Sequence, residues 1–436
     1  MTLCRFFLDK ETFPADCPPN ELHVLLYGGS APIPGAIAIG NQVRDLFLRF
    51  GVQPSATAVD FVSIALAVTA ADTFVLRDDA ADSWSRDIEI HLPLRAPDTW
   101  NMVKSQLQRL LGFLSGDQWR FHFEGGGEAP PLPSVIRQHD RRIDLLAGDL
   151  VSLFSGGLDS TVSTFRLIEE SARPVLVSHA YTGDKSVQNA IVARLPTALQ
   201  HVSVNAWPNS ERTSEISMRS RSFLFIAIAA LVCDVKSRLV GGRPIALQVP
   251  ENGLIALNAP LTPRRIGSHS TRTTHPFFLD GVQAIFGAVG IPATIDNPFA
   301  TWTKGQMVRS VSGSELFQAI ASETVSCGKW KREGQQCGRC VPCLIRRASL
   351  YEGDVDDQTS YQSASLVEVM KVEDTRDDLV AMLSAVKRLD SANADTWVAQ
   401  SGPMPADVDR RSALVDVHRR GLMEVGRYLA DSGFKM

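Results

Sequence analysis

Positive charge is not in excess: 44 Lys and Arg face 48 Asp and Glu, a net charge of −4. A protein built for duplex DNA usually presents a basic face, so this balance argues against that partner while leaving room for a local basic pocket. Long apolar runs are also missing. The most apolar segment, "FLFIAIAALVC" at 223–233, is about half of the roughly 20 residues needed to cross a bilayer, and reads as a buried core helix. The opening "MTLCRFFLDKETFPADCPP" breaks its short apolar run at Arg5 and Asp9 and offers no signal-peptide core. A cytoplasmic protein without membrane contact is expected. An even set of cysteines is lacking too. Cys4, Cys17 and Cys233 are scattered, whereas Cys327, Cys337, Cys340 and Cys343 crowd together. An odd total of seven with one tight cluster speaks against a disulfide framework and for a metal.

What is present is globular composition, 44% hydrophobic and 21% charged, in a chain too long at 436 residues for one ordinary core. Three regions are expected. Residues 1–143 mix strand-like runs ("ELHVLLYGG", "DFVSIALAV", "DIEIHLPL", "WRFHFEG") with the helical "TWNMVKSQLQRLLGFL", which predicts an α+β domain. The Gly/Pro-rich "EGGGEAPPLP" marks its end. In residues 146–350 strands alternate with helices, from "GDLVSLF" and "DSTVSTFRLIEES" to a helix over "SEISMRSRSFLFIAIAALVCDV" and a strand "PIALQVP". That alternation predicts βαβ crossovers, a doubly wound parallel sheet, and ligands beyond the carboxyl ends of its strands. Residues 351–436 are helical, with apolar spacing that suits a packing appendage or a partner surface.

Inside the α/β region, "VSLFSGGLDS" at 151–160 puts two glycines between serines directly after an apolar strand. Gly156 and Gly157 let the backbone come close to a ligand, and the amides opening the next helix suit phosphate oxygens. Ser155 and Ser160 add hydroxyls, and Asp159 can cap the helix and help hold Mg²⁺. The alternative is an ordinary capped turn. The stretch lacks the Gly-Lys-Ser/Thr ending of the nucleotide P-loop and fits neither GxGxxG nor GxSxG. It resembles the SGGxDS loop of the PP-loop ATP pyrophosphatases, whose fold is HUP-like. That resemblance implies ATP cleaved between its α and β phosphates, with residues Ser155, Gly156, Gly157, Leu158, Asp159 and Ser160 holding the pyrophosphate.

The second motif is "SCGKWKREGQQCGRCVPCLIRRA". Cys327, then Cys337-x-x-Cys340-x-x-Cys343, can surround one tetrahedral Zn²⁺, with an iron–sulfur cluster as the rival. Lys329, Lys331, Arg332, Arg339, Arg346 and Arg347 would offset the thiolate charge. Taken together, the loop and the C…CGxCxxCxxR tail resemble the QueC family, 7-cyano-7-deazaguanine synthases, over about residues 148–350. "RSRSFLFIAIA" and "TKGQMV" are similar to that family's arginine-led helix and lysine-bearing turn. The resemblance implies catalytic roles for Asp159, Lys304 and Arg219; Arg272, in the unassigned polar loop "STRTTHP", is a further catalytic candidate because its guanidinium can pair with phosphate or carboxylate. His269 and His275 of the same stretch lack a known ligand spacing, and the loop also reads as ordinary polar surface. Glu251 and Asn252 in "PENG" follow a strand end, where base recognition is expected.

The added flanking regions depart from a compact QueC and resemble the long QueC-like proteins of bacterial antiphage operons, QatC of the Qat system among them. This implies ATP, Mg²⁺ and Zn²⁺, a 7-deazaguanine-type small-molecule substrate, and protein partners from the same defence operon. The reaction expected is adenylation of a 7-carboxy-7-deazaguanine-type carboxylate and its transfer to an amine, either ammonia or the N-terminus of a partner protein. Two rivals stand beside it: a tRNA-modifying PP-loop enzyme, disfavoured because the α/β region has only Cys233 outside the cluster, and a non-catalytic assembly factor that senses ATP.

Overall fold

A computed structural model describes residues 1–18, 20–28, 36–137, 142–179, 183–263 and 272–435. The architecture is α/β, with two five-stranded sheets, both wholly parallel. The first contains β1 (Thr2–Phe7), β2 (Glu21–Leu26), β3 (Ile37–Ile39), β4 (Asp87–Leu94) and β5 (Gln118–Gly125), in the order β3-β2-β1-β4-β5. The second contains β6 (Leu150–Leu153), β7 (Pro174–His179), β8 (His201–Val204), β9 (Ile245–Gln248) and β10 (Ala293–Asp296), in the order β10-β9-β6-β7-β8. The order reverses around β6, so the turn leaving β6 lies at the topological switch point where α/β sheets place ligands.

Between the sheets run two helices, Ala56–Phe74 and Arg221–Leu239, buried along nearly their whole length. Each is apolar on every side, as a helix packed between layers must be. Phe61 of the first stacks on Trp100 and meets Phe223 and Phe286 edge-on, joining four helices at one point. A single apolar core takes in both of these helices together with the inner faces of both sheets. A separate core on the far side of the second sheet gathers Phe154, Leu158, Phe165, Leu176 and Met307.

The segment "DFVSIALAV", expected as a strand, forms the middle of the helix Ala56–Phe74. A continuous apolar run has no period to separate a buried strand from a buried helix, and length decides it. This helix, longer than the segment singled out above, is long and apolar enough to cross a membrane by length and composition, yet almost all of it is buried inside the protein. Elsewhere in residues 1–143 the expected strands "ELHVLLYGG", "DIEIHLPL" and "WRFHFEG" and the helix over "TWNMVKSQLQRLLGFL" do form, and because the sheet they build is parallel the region is α/β in place of the expected α+β. The helix expected from Ser214 begins at Arg221. Before it, the main-chain amides of Arg219 and Ser220 both donate to Asp72 Oδ2 at 2.8 Å, and that of Glu215 donates to the Thr73 carbonyl at 2.7 Å. Amides of Arg219 and Ser220 that donate to Asp72 cannot also donate to the carbonyls four residues back, so a helix begun at Ser214 cannot run through them.

The C-terminal region is helical, as expected, and its last helix, Val408–Asp431, packs on the turn that carries Lys304.

Candidate active site and metal centre

The strand β6 ends at Leu153, and the helix Leu158–Glu169 begins five residues later with Gly157 as its N-cap. Gly156 adopts φ +78°, a conformation that suits only glycine, and a side chain there would press on Gln188. The serines lace the turn together. Ser155 Oγ accepts from the Gly157 amide at 3.2 Å and lies 3.2 Å from Ser160 Oγ, which donates to the Gly157 carbonyl at 3.0 Å. Ser155 faces solvent. The first-turn amides of this 12-residue helix have no partner within the helix and carry its positive dipole end, which makes an anion site.

Directly beneath the loop, Asp159 is buried with Lys304, whose Nζ stands 2.9 Å from Asp159 Oδ1. Asn252 Nδ2 donates to Asp159 Oδ2 at 2.8 Å and to Glu251 Oε1 at 3.0 Å. Burial by itself raises the Asp159 carboxyl, but the Lys304 charge, with hydrogen bonds from Glu251 and Asn252, outweighs it and holds Asp159 below the usual carboxylate range. Glu251 goes the other way: burial and the neighbouring Asp159 charge push it well above its ordinary value. The resulting arrangement sets two buried neighbouring carboxyls apart, Asp159 lowered beside Lys304 and Glu251 raised.

Lys304 opens a short helix, Lys304–Arg309, capped by Thr303 with Gln306 closing a capping box. Glu424 of the last helix accepts from Thr303 Oγ1 and, at 3.1 Å, from the Gly305 amide. The C-terminal region, expected as a packing appendage or a partner surface, thus fastens the turn that carries Lys304.

Beside the loop lies a cavity of about 260 Å³ lined by Ser155, His179, Asp184, Gln188, Arg219 and Arg221, with Thr273 at its edge. Arg219 is buried and also donates from Nη1 to the Ser115 carbonyl at 2.8 Å. Burial lowers its guanidinium to about 10, with Arg77 adding to the effect. Arg272 is placed differently from the expectation: Nη1 donates to the Phe113 carbonyl at 3.3 Å and the guanidinium lies 5.0 Å from the Phe113 ring centroid. It braces a helix end, whereas its neighbour Thr273 reaches the cavity. His275 is fully buried, caps the helix Pro276–Val289 and lies 3.1 Å from Ser401 Oγ, so it docks the C-terminal region. His269 lies outside the described residues. Glu251 and Asn252 meet Asp159 instead of an open base-recognition site. His179 and Gln188 escaped the sequence reading; the rule that ligands sit past strand ends picks out His179, the last residue of β7.

The four cysteines come together. All four Sγ atoms lie within 4.8 Å of one another, and every one is buried. Two pairs, Cys327–Cys340 and Cys337–Cys343, are 3.9 Å apart. A tetrahedron with ~2.3 Å Zn–S bonds has edges of roughly 3.8 Å, so the four residues fit such an ion. Amides of Lys329 and Cys337 donate to Cys327 Sγ, and that of Cys340 to Cys337 Sγ, at 3.3–3.4 Å, which prepares the sulfurs to carry negative charge. Gly338, at φ +75°, has the Ser363 carbonyl where a Cβ would stand, 2.6 Å away. Arg346 and Arg347, expected to offset thiolate charge, hold neighbouring segments instead, Arg346 mostly through side-chain hydroxyls and Arg347 through main-chain carbonyls. Arg346 is fully buried and donates to Thr324 Oγ1 and the Ala321 carbonyl at 2.6 Å each. Arg347 donates to the Gly338 and Ser363 carbonyls. The metal centre and the glycine loop are joined: the Val325 amide donates to the Gly156 carbonyl at 3.0 Å, and Gln336, next to Cys337, donates to the Thr324 carbonyl.

Known proteins resemble parts of this chain in sequence. The family model "Queuosine biosynthesis protein QueC" matches residues 276–353. A 7-cyano-7-deazaguanine synthase of Kineococcus radiotolerans is 27% identical over 233 residues, covering 49% of this chain and 98% of that protein. Proteins of the same name from Cupriavidus taiwanensis (33% identical over 79 residues) and Saccharophagus degradans (35% over 75) align with 18% and 17% of this chain. In these two the chain spans about a third of the relative's length (34% and 32%). The matched segment holds Lys304 and all four cysteines, and the chain is QueC-like there.

Proposed function

We propose that the protein is a cytoplasmic, ATP-dependent, C–N bond-forming enzyme that adenylates a 7-carboxy-7-deazaguanine-type carboxylate and passes the acyl group to an amine. The observation that carries this reading is the buried Asp159–Lys304–Asn252–Glu251 group under a glycine turn that opens beside a cavity containing two arginines. In this reading the first-turn amides and the hydroxyls of Ser155 and Ser160 grip the pyrophosphate portion of ATP. Lys304 neutralises charge building between the α and β phosphates, and Asp159 holds Lys304 and helps to hold Mg²⁺ brought in with the nucleotide. Arg219 and Arg221 draw the substrate carboxylate into the cavity and aim it at the α phosphate. The carboxylate oxygen attacks that phosphorus, pyrophosphate leaves, and the amine then displaces AMP from the acyl carbon. Zn²⁺ on the four cysteines is structural and shapes the turn through Val325.

For the acceptor, we propose the N-terminal amine of a partner protein encoded with this one in an antiphage operon of the Qat type. The extra sheet and the helical C-terminal region supply surface that a free-ammonia enzyme does not need. The second reading, ammonia as acceptor and a nitrile as product, is supported by the name that the relatives share. Incubation with ATP, Mg²⁺, 7-carboxy-7-deazaguanine and either ammonia or co-expressed partner, followed by intact-mass spectrometry and AMP assay, separates them. A partner gaining one acyl mass supports conjugation, and a nitrile formed without it supports the second reading. No AMP in any mixture overturns both.

A further inference from the structure

The outer face of the first sheet carries polar side chains in a row, and three of them converge. Glu89 and His91 are two residues apart on β4 and therefore share a face, and His91 is the register partner of His122 on β5. Nε2 of His91 lies 2.8 Å from Glu89 Oε1, and Nε2 of His122 lies 3.4 Å from the same oxygen. The two imidazole rings are 4.5 Å apart between centroids. Two ring nitrogens and a carboxylate oxygen thus meet at one point, all within 4.8 Å.

We propose that Glu89, His91 and His122 form a second metal site, selective for Zn²⁺ or a similar divalent transition ion and separate from the four cysteines. The donor set, two imidazoles and a carboxylate, is one that such ions prefer. In a tetrahedral site with bonds of ~2.0–2.1 Å, donors stand roughly 3.3 Å apart, so His122 and Glu89 already have the spacing and His91 needs to withdraw by about half an ångström. Glu124 Oε1 lies 3.9 Å from His91 Nδ1 and, on closing that gap, accepts a hydrogen bond from the N–H that Nδ1 must carry once Nε2 binds metal. Arg5 also reaches His91 Nδ1, at 3.5 Å, but its shorter bond is to Glu21 at 3.2 Å, so metal uptake gives up only the longer contact. His122 is half exposed, which leaves the fourth position open to water. The inference does not depend on the proposed reaction, since neither the glycine loop nor the cavity takes part.

The test is metal stoichiometry on the full-length protein, dialysed against a weak chelator with limiting Zn²⁺. Two equivalents are expected for the wild type and one for the double variant His91→Ala/His122→Ala. With the cysteine site filled by Zn²⁺, added Co²⁺ should give weak visible absorption in the wild type and lose it in the double variant and in Glu89→Gln, whose circular dichroism checks that the strands remain. Equal metal content in wild type and double variant, or a Co²⁺ spectrum that survives both variants, overturns the site.

Discussion

The two sheets share strand number and direction and differ in what covers them. In the second sheet β7 is buried along its whole length, with Val175 and Val177 in the central core and Leu176 in the core on the far side. In the first, β4 alternates without exception: Ile88, Ile90, Leu92 and Leu94 are fully buried, and the residues between them face outward. Parallel sheets are usually covered on both faces. One sheet is sandwiched and holds the candidate active site at its switch point. The other presents a polar face with histidines. The same backbone pattern therefore supports two kinds of chemistry, one in a dry interior and one at a wet surface.

Removing the cysteine-bound metal should separate the sheets most. Chelation is expected to destabilise the protein on the order of 5–10 kcal/mol, since structural zinc contributes folding energy outright. Hydrogen exchange should rise first at residues 155–160 and 321–326, which the Val325–Gly156 bond joins, while β1, β4 and β5 stay protected. Equal loss of protection in both sheets would break the distinction. Next, Lys304→Ala leaves the Asp159 carboxylate buried without its counter-charge, at about 3–5 kcal/mol. AMP formation should fall on the order of 10²–10³-fold, the usual cost of losing one preorganised charge partner; both follow from denaturant melts and an AMP assay.

Phe61→Ala attacks the seam between the layers. Losing one buried ring costs about 3–5 kcal/mol, and both sheets should unfold in one transition in calorimetry, since Phe61 touches helices on each side. A smaller effect is expected from pH. Burial lowers His201, at the start of β8, to about 4. The unfolded chain takes up that proton near pH 6.5 while the folded chain resists, so stability is present above that pH and falls as pH drops from about 6.5 to 4. The loss should be roughly 1–2 kcal/mol after allowing for the exposed part of the ring, and His201→Gln should remove it from the pH profile of melting. Smallest of all, Arg120→Ala on the open face breaks only exposed contacts, to Asp87 and the Met1 sulfur, and the melting temperature should not move measurably.

The chemistry-bearing positions were legible wherever motif and strand order coincided. The turn at 155–160 leaves a strand and opens a helix, and the four cysteines gather, as nearby sequence suggests; Lys304, which only the family resemblance singles out, lies beside Asp159. Contacts made across long separations were not legible. Glu251 and Asn252 were expected at an open strand end, and only the fold turns them toward Asp159, more than 90 positions earlier. Arg272 and Arg219 carry the charge that a substrate pocket wants, but the helix Pro97–Ser115 takes up contacts from both, through Phe113 and Ser115. The helix Ala56–Phe74 was misread because complete burial erases the periodicity that local reading relies on.

Glu424 has a consequence for how the molecule comes into being. The lysine turn at 303–305 is made long before the carboxylate that fastens it emerges from the ribosome. A chain halted after its cysteine tail would own every motif residue and still lack the buttress beneath Lys304, so that seat is complete only with the helix Val408–Asp431.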